Sequence, residues 1–245
     1  MKFIEKDESA PAVVEYEEEL RKAQLDKDSL VDSSVHPSCQ GPDIYNEVQS
    51  LAGFNALKNQ LFNDQGGICC YCGRKLSYPN HPQYIVEHVK PKNIYRELAG
   101  EYMNLLLSCR PSKEEEERRR NAPKSVRKSF FHCDKSKESQ ELNYTPLQSD
   151  CGKHYTFAPF TGEIRLRDEQ DSKAEHDLRI LNLNCEWLKR RRLAAIEGEI
   201  YDESGELLPD KELYERLHSV MQRDDAGMYG EYCFVIHDVL KQLLS

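Results

Sequence analysis

At 245 residues and 28.5 kDa, with 38% hydrophobic residues and a mean hydropathy of −0.77, the chain has room for one large domain or a small catalytic unit with helical extensions. No apolar run approaches the roughly 20 residues of a membrane span, and the start, Met1-Lys2-Phe3-Ile4-Glu5-Lys6, lacks the apolar stretch of a signal peptide. The expected compartment is therefore the cytoplasm, with no membrane partner. In that reducing setting nine cysteines argue for metal binding rather than a disulfide framework. The net charge of −9 is unevenly spread: residues 1–65 carry −7, residues 66–137 carry +7 and residues 138–245 carry −9. A phosphate backbone docking on the central segment would produce that asymmetry.

In chain order, residues 11–28 predict a helix opened by Pro11, with acids preceding bases and Val13, Tyr16 and Leu20 on one face. Residues 32–43 carry turn chemistry and predict a loop. Residues 44–63 predict a second helix with Leu51, Phe54, Leu57, Leu61 and Phe62 as its apolar stripe, ended by Gly66-Gly67. A short strand is expected at 84–89 and another at 104–108, together a hairpin presenting Glu87-His88 and Asn104 at its ends. Residues 110–131 are a charged insertion: four Glu then three Arg can pair along a solvated helix, and the basic half, Arg118 to Lys128, is a candidate phosphate contact. A helix is expected after Asp134, a hairpin over 155–167 turning at Thr161-Gly162, and a helix within 178–198 capped by Asn182 or Asn184 and carrying Trp187, Leu188 and Ile196. Two more helices are expected at about 209–222 and 230–244.

The chemistry concentrates between Ile68 and Asp134. Cys69-x-x-Cys72 places two thiols on one knuckle, and Cys109 and Cys133 can supply a second pair, a set suited to a closed tetrahedral structural zinc. Cys151-x-x-His154 is a rival pair. A redox Cys-x-x-Cys would need a βαβ setting that the pattern lacks. Cys70 reads as a small packed residue, and Cys39, Cys185 and Cys233 as buried small hydrophobes. Hydrolysis of a phosphodiester needs a base for water, charge neutralisation at the phosphate and help for the leaving oxygen. His88 can take the proton. Glu87 and Asp134 can hold a divalent ion, Mg²⁺ or Mn²⁺, and Asn104 can fix the loop or the imidazole. Glu87 and His88 would diverge inside a strand, but both can reach one site at a strand end.

The order Cys-x-x-Cys, Glu-His, Asn-Leu, Cys, Cys-Asp-x-x-Lys resembles the zinc-bearing HNH (ββα-metal) nucleases. The stretches from Glu87 to Lys92, Asn104 to Cys109, His132 to Lys137 and Leu181 to Asn184 resemble the PtuB-type HNH proteins that accompany the ABC-type ATPase PtuA in Septu antiphage systems and in some retrons. The resemblance covers roughly residues 1–200, most firmly 66–137. It implies His88 as general base, Glu87 and Asp134 as ligands of the catalytic ion, Asn104 as the orienting residue, and Cys69, Cys72, Cys109 and Cys133 as ligands of structural Zn²⁺. It departs from many HNH chains in the long insertion between Cys109 and Cys133 and in Asp134, where Asn is common; His132 is an alternative ligand for either metal.

The expected architecture is α+β: a small zinc-stapled ββα-metal core at 66–150, an N-terminal helical extension at 1–65 and a C-terminal hairpin and helical region at 151–245. The expected function is a metal-dependent endonuclease of a defence complex, cutting DNA or transfer RNA, with a reverse transcriptase and msDNA as further partners in a retron setting. The expected nucleic-acid contacts are Lys90, Lys92, Arg118, Arg119, Arg120, Lys124, Arg127, Lys128 and Lys137. The alternative is a catalytically inactive zinc-stapled adaptor bridging the ATPase and nucleic acid. Such an adaptor needs the cysteines but has no use for Glu87, His88, Asn104 and Asp134.

Overall fold

Pro11 opens helix α1 (Pro11–Lys22), where its missing N–H leaves no bond unmade, and Arg21 and Lys22 sit in the last turn. Val13, Tyr16 and Leu20 are its buried face, as their spacing predicts. The helix stops short of residue 28: Gln24 adopts φ +57°, and Asp26 then caps a short second helix, α2 (Lys27–Val31). The structure is a computed structural model and describes residues 1–32, 34–76 and 83–245. Ser33, in the expected 32–43 loop, and residues 77–82, in the expected core, lie outside the described residues.

The single helix expected over 44–63 is two, α3 (Gly41–Ser50) and α4 (Phe54–Asp64). Leu51 leaves helical geometry, and the Gly53 N–H donates to Glu19 Oε2 at 2.9 Å, docking the break onto α1. Phe54, Leu57, Leu61 and Phe62 are buried as expected, whereas Leu51 is only partly covered. After α4, Gln65 acts as a substitute strand. Its amide accepts from Leu107 N at 2.6 Å and donates to Leu107 O at 2.9 Å, satisfying that edge of the sheet.

The central hairpin pairs β1 (Tyr84–His88) with β2 (Leu105–Cys109) in antiparallel register, Glu87 opposite Leu106 and His88 opposite Leu105. All five residues of β2 are buried, so it reads as an apolar run without alternation. The insertion contains α5 (Lys113–Asn121), begun by a capping box between Ser112 and Glu115. Then come the one-turn helix α6 (Asp134–Lys137) and a second hairpin, β3 (Tyr155–Phe157) with β4 (Ile164–Leu166).

The C-terminal helices are α7 (Ser172–Ile180), α8 (Glu186–Ile200), α9 (Asp210–Ser219) and α10 (Cys233–Leu243). Neither Asn182 nor Asn184 caps α8, whose N-cap is Cys185. Asn184 instead clamps β4, accepting from Ile164 N and donating to Ile164 O, both at 2.8 Å. Asn182, at φ +48°, donates to Ser129 O and Phe131 O and pins the end of the insertion. One continuous hydrophobic core runs from Met1 to Leu240, so the three expected segments share it. Among the described residues, no helix is long and apolar enough to cross a membrane.

Candidate active site and metal centre

The knuckle loop, the end of β2 and the start of α6 bring the sulfurs of Cys69, Cys72, Cys109 and Cys133 within 4.8 Å of one another, all buried. Cys72 and Cys109 stand 3.7 Å apart, and Cys133 stands 3.9 Å from both Cys69 and Cys109. Four sulfurs ~2.3 Å from a central zinc stand about 3.8 Å apart, so the cluster has the dimensions of a closed tetrahedral site. The Cys109 N–H donates to Cys69 Sγ at 3.3 Å, which suits a thiolate there. Burial opposes ionisation of Cys69, but hydrogen bonds from Cys109 and Cys133 hold it well below the usual thiol range. Burial and the neighbouring sulfurs push Cys133 well above that range. A cation is what would let all four ionise together.

The insertion folds back on this cluster through one carboxylate. His132 places Nδ1 3.3 Å from Cys133 Sγ and Nε2 2.9 Å from Glu115 Oε1, while Glu115 Oε2 accepts from Arg74 at 2.8 Å. The side chains of Glu115, His132 and Arg74 are 3%, 1% and 6% exposed. Burial works against the Glu115 anion, but the hydrogen bond from His132 and the Arg74 charge hold its carboxyl down at about 2. The Glu half of the insertion is therefore not wholly solvated: Glu115 is a buried tether, while Glu114 and Glu116 pair with Arg118 and Arg120 at the surface. His132 stands outside the four-sulfur group, its Nε2 committed to Glu115. Cys151 lies outside that group too, and His154 pairs with Asp171 at 2.9 Å and stacks on Tyr144.

Glu87, His88, Lys92, Phe131, Asp134 and Lys135 line an open cleft of about 430 Å³ at the end of the hairpin. Because β1 stops at His88, both members of the Glu-His pair reach this one space. His88 Nε2 lies 3.0 Å from Ala99 O. A carbonyl only accepts, so Nε2 carries the proton and Nδ1 keeps its lone pair. Burial, with Lys92 and Lys137 nearby, lowers the imidazole to about 3 against the pull of the Ala99 carbonyl, so the ring is neutral at physiological pH. Asn104 does not line the cleft. Its side chain accepts from Lys90 N at 2.7 Å and donates to Lys90 O and Leu98 O at 3.0 Å, fixing both ends of the loop that carries Ala99.

Glu87 is 1% exposed, and its Oε1 accepts from Tyr71 Oη and Lys137 Nζ, each at 2.7 Å. Burial and a hydrogen-bonding contact with Asp134 raise its carboxyl to about 8, against the pull of Lys137. A Glu87 carboxyl whose ionisation is opposed by burial and by neighbouring Asp134, at the wall of a polar cleft, fits a hard divalent cation, which would favour its carboxylate form. The sequence pattern did not point to Tyr71, Arg74 or Glu115. Tyr71 carried only the signal of lying between two knuckle cysteines.

The expected phosphate contacts divide into surface and buried groups. Lys92 lines the cleft, Lys90 pairs with Glu141, and Lys124 and Lys128 are exposed. Arg118 lies over Trp187 at 4.9 Å, Arg119 over Phe131 at 5.3 Å, and Arg127 braces the insertion through Arg120 O at 2.8 Å. Lys137 is a correction. It is 1% exposed, paired with Glu87 and donating to His88 O at 2.9 Å, so it holds the Glu-His pair rather than presenting a surface charge.

No family model matches the chain. It is 28% identical over 152 residues, 59% of its length, to a Vibrio cholerae serotype O1 biovar El Tor protein named Retron Vc95 putative HNH endonuclease. The match spans 65% of that relative's length.

Proposed function

We propose that this protein is a metal-dependent HNH endonuclease built on a zinc-stapled ββα-metal core. The single observation that carries this reading is the convergence of a neutral, singly protonated His88 with Glu87 and Asp134 on one cleft beside four clustered thiols. The retron-associated relative supports it. Cys69, Cys72, Cys109 and Cys133 would hold structural Zn²⁺, and Glu87 and Asp134 a catalytic Mg²⁺ or Mn²⁺. That ion, when bound, supplies charge neutralisation at the phosphate and the leaving oxygen.

The chain's own residues do the rest. His88 takes a proton from water at Nδ1, and Ala99 O holds the opposite nitrogen, fixing the ring and favouring the imidazolium against the effect of burial, Lys92 and Lys137. Asn104 keeps that carbonyl in place by closing its loop. Lys137 and Tyr71 orient Glu87. Lys92 adds positive charge at the cleft wall. Contacts of this kind hold phosphate and sugar without reading bases, so both DNA and transfer RNA are candidate substrates.

In its wider setting the protein is proposed as a PtuB-type effector of an antiphage complex with a PtuA-type ABC ATPase, in a Septu or retron context. In the retron case a reverse transcriptase and msDNA would be further partners. The test is cleavage of plasmid DNA and of total transfer RNA by wild type and His88→Ala, with Mg²⁺ or Mn²⁺, with and without the ATPase. The expected result is cleavage by wild type and a rate lower by ~10²–10⁴ in the variant. Equal rates would remove His88 as the base. No cleavage by either zinc-loaded protein under any of these conditions would favour the adaptor instead.

A further inference from the structure

A second group of metal-ligating side chains lies away from the cleft. Cys39, expected as a buried small hydrophobe, is only partly buried, at the edge of the core. Its sulfur, a His36 ring nitrogen and a Glu47 carboxylate oxygen all lie within 4.8 Å of one another. His36 Nδ1 stands 3.9 Å from Glu47 Oε2, and Cys39 Sγ stands 3.9 Å from Glu47 Oε1.

The local chain builds this arrangement. His36 adopts φ +48°, and the Cys39 N–H donates to His36 O at 3.0 Å, closing a tight turn that gathers ring and thiol. Glu47 comes from the second turn of α3, a rigid element. The turn is braced from beneath by Arg96, whose guanidinium donates to the carbonyls of Leu30, Val35, His36 and Cys39 at 2.9–3.1 Å. Four carbonyls on one guanidinium fix the backbone that carries two of the three donor groups, so little ordering remains to be done when an ion arrives.

We propose that His36, Cys39 and Glu47 form a second zinc site, distinct from the four-cysteine centre. One nitrogen, one thiolate and one carboxylate are the donor classes that zinc accepts, at distances of ~2.0–2.3 Å. Donors so bound stand about 3.3–3.8 Å apart, against separations of 3.9 Å for the two pairs given above and at most 4.8 Å for any pair here, a closure of roughly 1 Å or less that rotation of partly exposed side chains can make. Three protein ligands at a solvent-facing turn leave the fourth position to water or to a donor from another molecule. The ion ties the turn before α3 to α3 itself. This assignment does not depend on the nuclease reading.

The test is zinc stoichiometry of the full chain, dialysed against micromolar zinc and then measured by elemental analysis. Wild type is expected to hold two zinc ions and the double variant His36→Ala/Cys39→Ser one, with unchanged circular dichroism. One zinc in wild type overturns the proposal, and so do two zincs in both proteins, which would mean an adventitious ion elsewhere. Should the double variant not fold, Glu47→Gln decides. Competition with a chromophoric chelator is expected to show the second zinc held at least about ten-fold more weakly than in wild type. An unchanged affinity overturns the assignment.

Discussion

Tyr71 Oη donates to Glu87 Oε1 at 2.7 Å, joining the cysteine knuckle to the carboxylate at the cleft. Tyr71 lies between Cys69 and Cys72, so the loop wrapped on the four sulfurs also sets the position of Glu87. The four-cysteine cluster and the cleft are then linked through one fully buried side chain. Tyr71→Phe keeps the ring and deletes only the donor. It is expected to lower cleavage ~10–100-fold, the usual cost of losing an outer-shell partner, while zinc content stays at the wild-type value. Steady-state rates over a Mg²⁺ titration check this, with the loss expected as weaker apparent metal affinity.

Asn104 makes a comparable link on the other side of the site. Its three hydrogen bonds close the loop from Lys90 to Leu98, and the next residue, Ala99, receives the His88 proton donor. Asn104→Ala leaves those backbone groups unpartnered in a largely buried place and is expected to destabilise the fold by about 2–3 kcal/mol. It should also slow cleavage, since the imidazole loses its fixed partner. Asn104→Asp retains the acceptor for Lys90 N but turns a carboxylate toward two carbonyls, so it should not rescue either property. Urea midpoints and single-turnover rates on the three proteins give the comparison.

The Glu115 tether predicts a pH dependence of stability. In the folded chain its carboxyl sits at about 2, below the ordinary 4.5, because His132 and Arg74 outweigh the effect of burial. Between those values the unfolded chain binds more protons, so stability rises with pH through the window and is fully present above it. The contribution is about 3 kcal/mol by linkage. Glu115→Gln should therefore unfold more easily than wild type by about that amount at neutral pH. The gap should hold constant down to about pH 5 and close as the pH falls further. Urea unfolding of both proteins across pH 3–8 measures it, and a gap that closes on the alkaline side would contradict the tether.

The parts of this site that could be read from sequence are those fixed by local order. Glu87 and His88 are adjacent at a strand end, and Cys69 and Cys72 keep knuckle spacing, so both pairs are legible; Cys109 and Cys133, separated by the insertion, meet them only through the fold. Glu115 was not, because it lies in a run of four identical residues and only the fold decides which one meets Arg74. The break at Gly53 was hidden for a similar reason: the apolar stripe continues through it, and its cause is a carboxylate 34 residues away on α1. Asn182 and Asn184 carried a helix-cap signal, but their amides serve the insertion and β4, partners remote in sequence. Lys137 looks like any surface lysine after a Cys-Asp pair until the one-turn helix α6 points it at Glu87.

The basic half of the insertion gives the last prediction. Lys124 and Lys128 are exposed, on the segment between α5 and Phe131, and Phe131 lines the cleft. Unlike Arg127, neither is placed to brace the backbone. If nucleic acid crosses this segment on its way to the cleft, each lysine neutralises a phosphate and releases a counterion. Lys124→Ala and Lys128→Ala should each weaken binding of single- or double-stranded probes regardless of sequence. Each should also reduce the slope of log K against log salt by about 1, with little effect on thermal stability. Lys137→Ala should behave in the opposite way, lowering stability and cleavage while leaving the salt slope near its wild-type value, because its charge is spent on Glu87. Fluorescence anisotropy across a salt series separates the two behaviours. A wild-type salt slope for the Lys124→Ala/Lys128→Ala double variant would take this segment out of the binding path.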